Sequence, residues 1–412
     1  MDDRIHYFDD IRPFLPEELP QAYETLLSDE KFINVLKTVV PEIPFDELAK
    51  LMRSQKTNQE FQKAIIYPFV KKIATSATDG IEGDFSALDF NTGYTFISNH
   101  RDIVLDSAFL SALLLEHGQD TVEIAIGDNL LIHPWIKNLV RINRSFIVQR
   151  ALTMRQMLMA SKKMSEYIHF VIQEKKSNVW IAQREGRAKD SDDRTQDSVL
   201  KMLSMGYTPT ESAAKGDGAK IIASLKDLNI VPLAISYELD PCDYLKAEEF
   251  QNKRDNPEFK KSQQDDLNNM RIGIFGKKGH VHYHAAPCIN QWLDTLDPDT
   301  PKTELFDIVA KHIDQEIHKN YMLYPINLWA AHPSRLSEPS EPRTLEPLNA
   351  SILAQFNCAT TAEPQNHITA NEYIDSKLQQ VSLEHPDWDF LRERILTMYA
   401  NPARNHFAAL GM

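Results

Sequence analysis

The sequence predicts an α/β fold in which helices flank a central sheet, with an N-terminal helical region before the sheet and C-terminal helices after it. From residue 94, short apolar and β-branched runs alternate with helix-like segments, as in a sheet covered by crossover helices. These runs predict strands at residues 94–97, 122–126, 145–148, 179–182 and 230–237. The expected organisation is an N-terminal helical region at 1–88, an α/β domain at 89–330, and a proline-rich linker with C-terminal helices at 331–412.

The N-terminal region is predicted to be helical and punctuated by prolines. Apolar residues at helical spacing predict helices at residues 16–28, 29–39, 44–54 and 57–73. Gly80, Gly83 and Asp84 predict a loop before the sheet. The helix at 57–73 has an apolar face with lysines beside it, which is typical of a helix that packs on its own domain and also of one that lies on a membrane surface. Both interpretations stay open here.

Further helices are expected between and after the strands. Periodic apolar residues predict them at 154–175, 197–205, 217–228 and 301–321. The charged stretch 246–266 is expected to be an exposed helix or insertion, followed by a strand pair at 271–275 and 280–285. Residues 332–347, rich in proline, serine and glutamate, predict a linker or extended surface segment, and the C-terminal helices are expected at 371–380 and 387–399.

Composition narrows the classes of function. The 412 residues carry a formal net charge of −14, which argues against nucleic acid as a general partner. Three widely separated cysteines, Cys242, Cys288 and Cys358, suggest neither a disulfide framework nor a zinc cluster, so a reducing, cytoplasmic compartment is expected. The N-terminus lacks the features of a signal peptide, and no apolar run approaches the roughly 18 residues of a membrane span.

His100 lies in the turn between the strand at 94–97 and a helix that Asp102 is expected to cap. Such a turn is where an α/β sheet usually places its working residues, and Asp106 follows one turn inside the helix. An imidazole with a carboxylate in reach can act as a general base, although a hydrogen-bonded turn without catalysis would use the same residues. Ser98 lacks the glycine elbow of a serine nucleophile and is expected to be structural.

Two other stretches concentrate cations. Arg141, Arg144 and Arg150 surround the strand at 145–148, which suits an anionic ligand and would equally suit surface salt bridges. The turn at 185–189 contains a glycine flanked by cations, so it can hold a phosphate or be a plain solvated turn.

Two features of the later strands have a plain and a functional interpretation. Pro232 marks a sheet edge or bulge, and sometimes a place where a ligand approaches. His280, His282 and His284 alternate along one strand and face the same way. They could bind a metal only by unusual convergence, because same-face neighbours lie about 6.5–7 Å apart. We therefore predict no metal ligands.

Order and spacing together resemble the glycerolipid acyltransferase family, which makes glycerol phosphate and lysophosphatidate esters. The family has four sequence blocks, and all four are recognisable here in order. The His-(four residues)-Asp block corresponds to His100 with Asp106, and the Phe-Ile-x-Arg block to residues 147–150. The Glu-Gly-x-Arg block corresponds to residues 185–187, and the proline-centred block to residues 230–235. The resemblance covers about residues 90–290. Two segments look more like the glycerol-3-phosphate acyltransferase branch than the lysophosphatidate branch. They are residues 127–130 with Pro134 and Trp135, and residues 235–238.

Two departures from the family pattern leave alternatives open. Asp106 lies six positions after His100, where the family has five. Either the turn absorbs one extra residue or Asp102 is the partner, and the sequence after Asp106 favours Asp106. In the third block Ala188 stands where the family has arginine, so Arg187 and Lys189 share that assignment.

The resemblance implies an O-acyltransferase with an acyltransferase-type sheet. His100 would be the general base, with Asp106 holding the imidazole, and the substrate-binding residues would be Arg144, Arg150, Glu185, Gly186, Arg187, Lys189 and Pro232. The acceptor would be glycerol-3-phosphate or a related lysolipid, and the co-substrate acyl-CoA or acyl carrier protein, without a further cofactor. A lipid product implies a peripheral position on the inner face of the membrane. The alternatives are an acyltransferase for lysophosphatidate or a lyso-aminolipid, and an inactive lipid-binding relative.

Overall fold

A computed structural model describes residues 3–150, 153–207, 216–331 and 369–412. The strands are β1 (Gly80–Asp84), β2 (Thr95–Ser98), β3 (Val122–Gly127), β4 (Ser145–Val148), β5 (Asn178–Ala182), β6 (Ile230–Tyr237) and β7 (His280–Ala285). The helices are α1 (Leu19–Leu27), α2 (Glu30–Val39), α3 (Phe45–Ser54), α4 (Asn58–Phe61), α5 (Tyr67–Ala77), α6 (Leu105–Glu116), α7 (Pro134–Ile142), α8 (Met154–Gln173), α9 (Asp197–Leu203), α10 (Asp217–Asp227), α11 (Asp243–Asp255), α12 (Gln263–Phe275), α13 (Asn290–Leu293), α14 (Lys302–Lys319), α15 (Pro325–Ala331), α16 (Ala370–Leu378) and α17 (Trp388–Ala409).

The strands form one sheet in the order β1-β7-β6-β2-β5-β3-β4. The five strands from β6 to β4 are mutually parallel, β7 is antiparallel to β6, and β1 is parallel to β7. The carboxyl ends of the five parallel strands therefore meet along one side, which we call the carboxyl edge. In an open α/β sheet this edge is where ligands bind.

The predicted α/β fold class is confirmed, with a sheet flanked by helices. Each of the five strands predicted from apolar runs is present as β2 to β6, with ends within one residue of the prediction. Almost all of their residues are buried. Parallel strands covered on both faces are apolar throughout, so a local composition signal was sufficient to find them.

Two local predictions beyond these strands were wrong, and a third holds only in part. Gly80–Asp84 is strand β1 and not a loop, because it pairs with β7 from a distant part of the chain. Residues 271–275 end helix α12 instead of forming a strand, and Ser262 caps that helix by accepting a hydrogen bond from the Asp265 amide. The charged stretch 246–266 is exposed only in its second part, since Lys246, Glu248 and Glu249 of α11 are buried, whereas most residues from 253 to 266 are exposed.

Pro232 does not mark a sheet edge. Strand β6 lies between β7 and β2, and Pro232 is buried opposite Ile97 of β2. The ladder with β7 begins only at Leu233, so the proline lies just outside it. An interior strand can hold a proline there because the N–H that proline lacks would lie beyond the residues that pair β6 with β7.

The segment predicted as a helix at 57–73 forms α4 and α5, joined by a π-helical turn at Gln62–Ile66. Phe61 is buried among α1, α2 and α3, whereas Val70 and Ile73 are buried against the sheet. The apolar face is therefore used within the protein. Of the two interpretations of this helix, the structure supports packing on its own domain.

Two hydrophobic clusters cover the faces of the sheet. One joins Ile97 and Ile181 to helices α8, α9 and α14, and the other joins Phe96 and Val231 to α5 and α6. The C-terminal helices α16 and α17 pack with α11 and α15 in a separate cluster. The proposed linker at 332–347 and Cys358 lie outside the described residues.

Cys242 is buried and Cys288 half-buried, and both are free thiols. Across the ranges that the structure describes, we find no helix with the length and apolar character needed to cross a membrane.

Candidate active site

Strand β2 delivers His100 to the carboxyl edge through a tightly held turn. The Asn99 side chain accepts from the Ile235 amide of β6 and donates to the Ile235 carbonyl, each at 2.8 Å. Ser98 accepts a hydrogen bond of 3.0 Å from the Trp180 indole of β5. Ser98 and Asn99 thereby tie the end of β2 to both neighbouring strands, which fixes the start of the turn that carries His100.

His100 and Asp106 form the predicted pair. The Nδ1 atom of His100 lies 2.8 Å from Oδ2 of Asp106. A carboxylate can only accept, so Nδ1 carries the hydrogen and Nε2 keeps its lone pair. The His100 side chain is 14% exposed and that of Asp106 only 1% exposed. The Trp180 ring contacts the imidazole edge-on, with ring centroids 5.6 Å apart.

The Asp106 carboxylate is fully hydrogen-bonded. Its Oδ2 also accepts from the backbone amides of Arg101 at 2.7 Å and Asp102 at 3.1 Å. Its Oδ1 accepts from the Tyr237 hydroxyl at 3.1 Å. Four donors therefore converge on one buried carboxyl group and hold it in a fixed orientation against the imidazole.

The structure decides between the two aspartates that the sequence left open. Asp102 turns its carboxylate to the amides of Val104 and Leu105, at 2.8 and 2.7 Å, and so caps the start of α6. Burial raises the pKa of Asp102. The extra residue of this block is absorbed in the turn before Leu105, and Asp106 in the first turn of α6 is the partner of His100.

Two tyrosines that the sequence analysis did not assign support this pair. Tyr237 at the end of β6 donates to the Asp106 carboxylate, and Tyr283 of β7 donates to the Asp106 carbonyl at 2.9 Å. Burial raises the pKa of both hydroxyls well above the usual range, so both stay protonated donors. The sequence could have indicated these two residues only through their position, because each tyrosine lies in a strand that reaches the carboxyl edge.

Arg150 follows β4 and reaches across the carboxyl edge. Its Nη1 lies 3.1 Å from Oε1 of Glu185, which follows β5, and β3 lies between these two strands. The guanidinium passes over Gly127 at the end of β3, where a Cβ would lie only 2.8 Å from the Arg150 Nε. A glycine at 127 therefore leaves room for the arginine. Both side chains are exposed enough to meet a ligand.

The turn after β5 separates the roles of Arg187 and Lys189. The Nζ of Lys189 lies 3.2 Å from Oε1 of Glu249 in α11. Arg187 is only 8% exposed, and among the described residues it makes no hydrogen bond or ion pair. Gly186 has a φ of +67°, a conformation that favours glycine. Arg187 is thus the cation of this turn that remains available to an anionic ligand.

Three further charged residues lie near His100 and were missed from the sequence. Arg101 and Asp193 are buried, and neither Nε of Arg101 nor Oδ2 of Asp193 has a hydrogen-bond partner. The Nε of Arg184 is likewise buried without a partner. Burial raises the pKa of Asp193, while the positive charges of Arg101 and Arg184 oppose that rise. Arg101 and Arg184 were adjacent to predicted site residues, which was the only local signal.

Arg144 is not brought to this group. It precedes β4 and so lies at the opposite edge of the sheet, where its guanidinium donates to the Thr121 hydroxyl at 2.8 Å and also to Ser177. Pro232 is buried inside β6, five residues before Tyr237. Neither residue contacts His100, Arg150 or Arg187 in the part of the chain that is described.

The histidines of β7 have separate partners. His280 Nδ1 lies 2.8 Å from Glu238 Oε2, and His284 Nδ1 lies 3.6 Å from Asp84 Oδ2. His282 and His284 have ring centroids 6.3 Å apart. Within residues 3–150, 153–207, 216–331 and 369–412, no group of three or more His, Cys, Asp or Glu side chains could hold a metal ion.

Comparison with known proteins identifies the central part of the chain. Residues 81–236 match the family model described as Acyltransferase. Among solved structures the chain is similar to the 1-acyl-sn-glycerophosphate (LPA) acyltransferase PlsC from Thermotoga maritima, at a TM-score of 0.35 and 10% identity over 73% of this chain and 97% of that one. No curated protein sequence matches the chain significantly.

The matched segment runs from β1 to the end of β6 and contains His100, Asp106, Arg150 and Arg187. The acyltransferase domain predicted from the sequence is confirmed for these residues, and the match does not distinguish the glycerol-3-phosphate branch. An acyltransferase uses an acyl donor and an acceptor. Residues 81–236 therefore form an acyltransferase domain, which agrees with the O-acyltransferase activity predicted from the sequence.

Proposed function

We propose that this enzyme moves a fatty acyl chain from a thioester to the hydroxyl of glycerol-3-phosphate. The observation that carries the proposal is the buried pairing of His100 Nδ1 with Asp106, which leaves Nε2 free as a base at the edge where Arg150 and Arg187 lie. A hydroxyl nucleophile needs a base and an anionic headgroup needs cations, so the reaction requires both kinds of side chain close together.

In the proposed mechanism His100 acts as general base. Its Nε2 takes the proton from the acceptor hydroxyl while the oxygen attacks the thioester carbonyl carbon. The tetrahedral intermediate then collapses, the C–S bond breaks, and the proton on Nε2 passes to the leaving thiolate. Asp106 stabilises the imidazolium through the 2.8 Å contact at Nδ1. No covalent acyl-enzyme is required.

The acceptor's phosphate is assigned to Arg187 and Arg150. Arg187 supports this role because it is a buried cation that makes no hydrogen bond or ion pair among the described residues, although its charge acts on the pKa of Asp102 and Asp240. Arg150 can exchange its exposed pairing with Glu185 for a phosphate at small cost, because exposed ion pairs are weak. Guanidinium groups suit a phosphate because they bind it through two parallel hydrogen bonds.

Glycerol-3-phosphate is preferred over lysophosphatidate for a further reason. The two segments whose sequence resembles the glycerol-3-phosphate branch both touch the site. Asp128 of the first accepts a hydrogen bond of 3.3 Å from the Arg150 amide, and Tyr237 of the second donates to Asp106. This supports the assignment of the acceptor. The donor is a fatty acyl thioester, carried by coenzyme A or by acyl carrier protein, and the enzyme works peripherally on the inner face of the membrane.

The test is acyl transfer by the purified protein, followed by mass spectrometry. Acyl-CoA and acyl carrier protein are each combined with glycerol-3-phosphate, lysophosphatidate and a lyso-aminolipid, with His100→Ala alongside. We expect product from glycerol-3-phosphate with the wild type and at least a hundredfold less with the variant, since a general base contributes about 10²–10⁴-fold. Product from another acceptor would reassign the substrate, and equal rates for both proteins would reject His100 as the base.

A further inference from the structure

The beginning of helix α8 projects from the body of the protein. Every residue from 153 to 159 is exposed, and the helix first becomes buried at Met164. Residues 160, 161 and 163 are only partly exposed, and Lys163 pairs with Asp10. At 1.5 Å per residue, the exposed residues 154–159 form a projection about 9 Å long. Thr153 accepts a hydrogen bond from the Gln156 amide and completes a capping box, so the projection is a properly started helix.

This projection exposes large apolar side chains. Met154, Met157, Leu158 and Met159 have exposures of 86%, 46%, 62% and 65%. Twelve large apolar side chains are exposed among the described residues, and four of them fall within these six positions. Such a cluster marks an interaction surface, whereas single exposed apolar residues are ordinary.

The same part of the chain is basic, although the protein as a whole is acidic. Between Asp128 and Glu166 the sequence contains no aspartate or glutamate. It contains seven basic residues, of which Arg155 lies on the projection and Lys162 and Lys163 follow it, while Arg144 lies at the opposite edge of the sheet. Arg155 has no ion pair among the residues that the structure describes. Lys162 is 61% exposed and lies 3.7 Å from Glu166, and Lys163 pairs with Asp10. An anionic surface would therefore meet Arg155 and Lys162 here, and repulsion over much of the remaining molecule.

The projection lies at the carboxyl edge of the sheet. Helix α8 follows β4 along the chain, and Arg150, between them, pairs with Glu185 beside the turn that holds Arg187. A surface bound by the projection would therefore face the same side of the protein as the candidate active site. A lipid reactant or product would have a short path between the two.

We propose that residues 154–163 dock on a phospholipid bilayer that contains anionic lipids. Met154, Met157 and Leu158 enter the acyl-chain region, while Arg155 and Lys162 contact lipid phosphates. The inference rests on the proposed function, because that reaction gives the protein a lipid product to deliver.

The distribution of the apolar side chains favours a bilayer over a protein groove. Met154, Met157 and Leu158 share one face, but Met159 lies about 140° around the helix from Met154, beyond Arg155. A groove that takes one face of a helix would leave Met159 in water. A fluid lipid surface can take apolar side chains from several sides, and flexible methionines adapt to it.

The experiment is vesicle flotation of the full chain at two salt concentrations. Vesicles of phosphatidylcholine alone are compared with vesicles that contain phosphatidylglycerol. The test variant is Met154→Glu with Leu158→Glu. The matched control is Val35→Glu with Leu51→Glu, which adds the same charge at two positions that are each 40% exposed on other helices. We expect the wild type and the control to float with anionic vesicles, and the test variant to bind about tenfold more weakly or worse.

Each outcome decides the inference. Equal binding by the test variant and the wild type, or no binding of the wild type to anionic vesicles at low salt, would overturn it. A doubled molar mass of the wild type in light scattering, reduced to the monomer in the test variant, would overturn it in favour of self-association. Acyl transfer from a short-chain thioester to soluble glycerol-3-phosphate is measured without vesicles, so failure of the proposed reaction is distinguished from failure of docking.

Discussion

His100 Nδ1 and Asp106 Oδ2 lie 2.8 Å apart, and the same carboxylate accepts from the Tyr237 hydroxyl and from two backbone amides. The pair joins the end of β2 to the first turn of α6, and β6 contributes the tyrosine. Three elements therefore fix the orientation of one imidazole. This arrangement has consequences for variants of each partner.

Asp106→Asn should impair both catalysis and stability. The side-chain amide would place an NH₂ group against donors from His100, Arg101, Asp102 or Tyr237, because all four now donate to the carboxylate. We expect kcat to fall by about 100-fold or more and the free energy of unfolding to fall by about 2–4 kcal/mol. Steady-state kinetics and denaturant unfolding measure these effects. Unchanged stability would contradict the account of Asp106 as a fully bonded buried anion.

Tyr237→Phe should alter the pH dependence of the reaction. Without the Tyr237 hydroxyl, the Asp106 charge is less well compensated and stabilises the imidazolium of His100 more strongly. The acidic limb of the kcat/KM profile should therefore move to higher pH. Tyr283→Phe is the matched control, because that hydroxyl donates to the backbone carbonyl of Asp106 and not to its carboxylate. A shift to lower pH in Tyr237→Phe would reject the positioning role.

Arg187→Ala should raise the KM for the phosphate-bearing acceptor. We expect about a tenfold increase or more, because one charge-assisted bond to the phosphate is lost. Lys189→Met is the comparison, and its KM should match the wild type, since Lys189 pairs with Glu249 and not with a ligand. Glu249 would also keep Lys253 at 2.8 Å, so the control should remain folded. The reverse pattern of KM values would move the phosphate role to Lys189.

Arg144→Ala should affect stability and not substrate binding. The guanidinium joins Thr121 and Ser177 at the edge opposite the active site. Its loss should lower the free energy of unfolding by about 1–3 kcal/mol, because the buried Thr121 and Ser177 lose their partner. Denaturant unfolding and the acceptor KM are both measured. An increased KM with unchanged stability would restore Arg144 as a binding residue.

His318 should make the protein sensitive to acid. Burial lowers the pKa of His318 to about 4, below its usual value near 6.5. Between these values the unfolded chain binds more protons than the folded one, so the stability contributed by neutral His318 is complete above about pH 6.5 and is lost as the pH falls towards 4. The loss approaches about 3 kcal/mol.

His318→Gln should flatten that dependence. The free energy of unfolding, measured in denaturant at pH 7, 5.5 and 4.5, should fall less steeply in the variant than in the wild type. His6→Gln is the control, because His6 is largely exposed and its replacement should leave the slope unchanged. Parallel curves for wild type and His318→Gln would show that other groups cause the acid sensitivity.

Sequence alone determined the parts of this protein that depend on local pattern. The strands β2 to β6 were predicted to within one residue, because a parallel strand buried on both faces is apolar along its whole length. Helices were predicted from local sequence too, because a helix that packs on one face carries apolar residues at helical spacing. The four family blocks, and with them His100, Asp106, Arg150 and Arg187, were found because their chemistry lies close together in sequence.

Tertiary structure decided what depends on contacts between distant segments. Gly80–Asp84 became a strand through its pairing with β7, and Asp106 was distinguished from Asp102 by the direction in which each carboxylate turns. Lys189 was separated from Arg187 by Glu249 on a helix far along the chain. Arg144 was predicted to bind the substrate, but it precedes β4 and its guanidinium turns to Thr121 and Ser177 at the opposite edge of the sheet. Each of these outcomes follows from the packing of elements, which local composition does not encode.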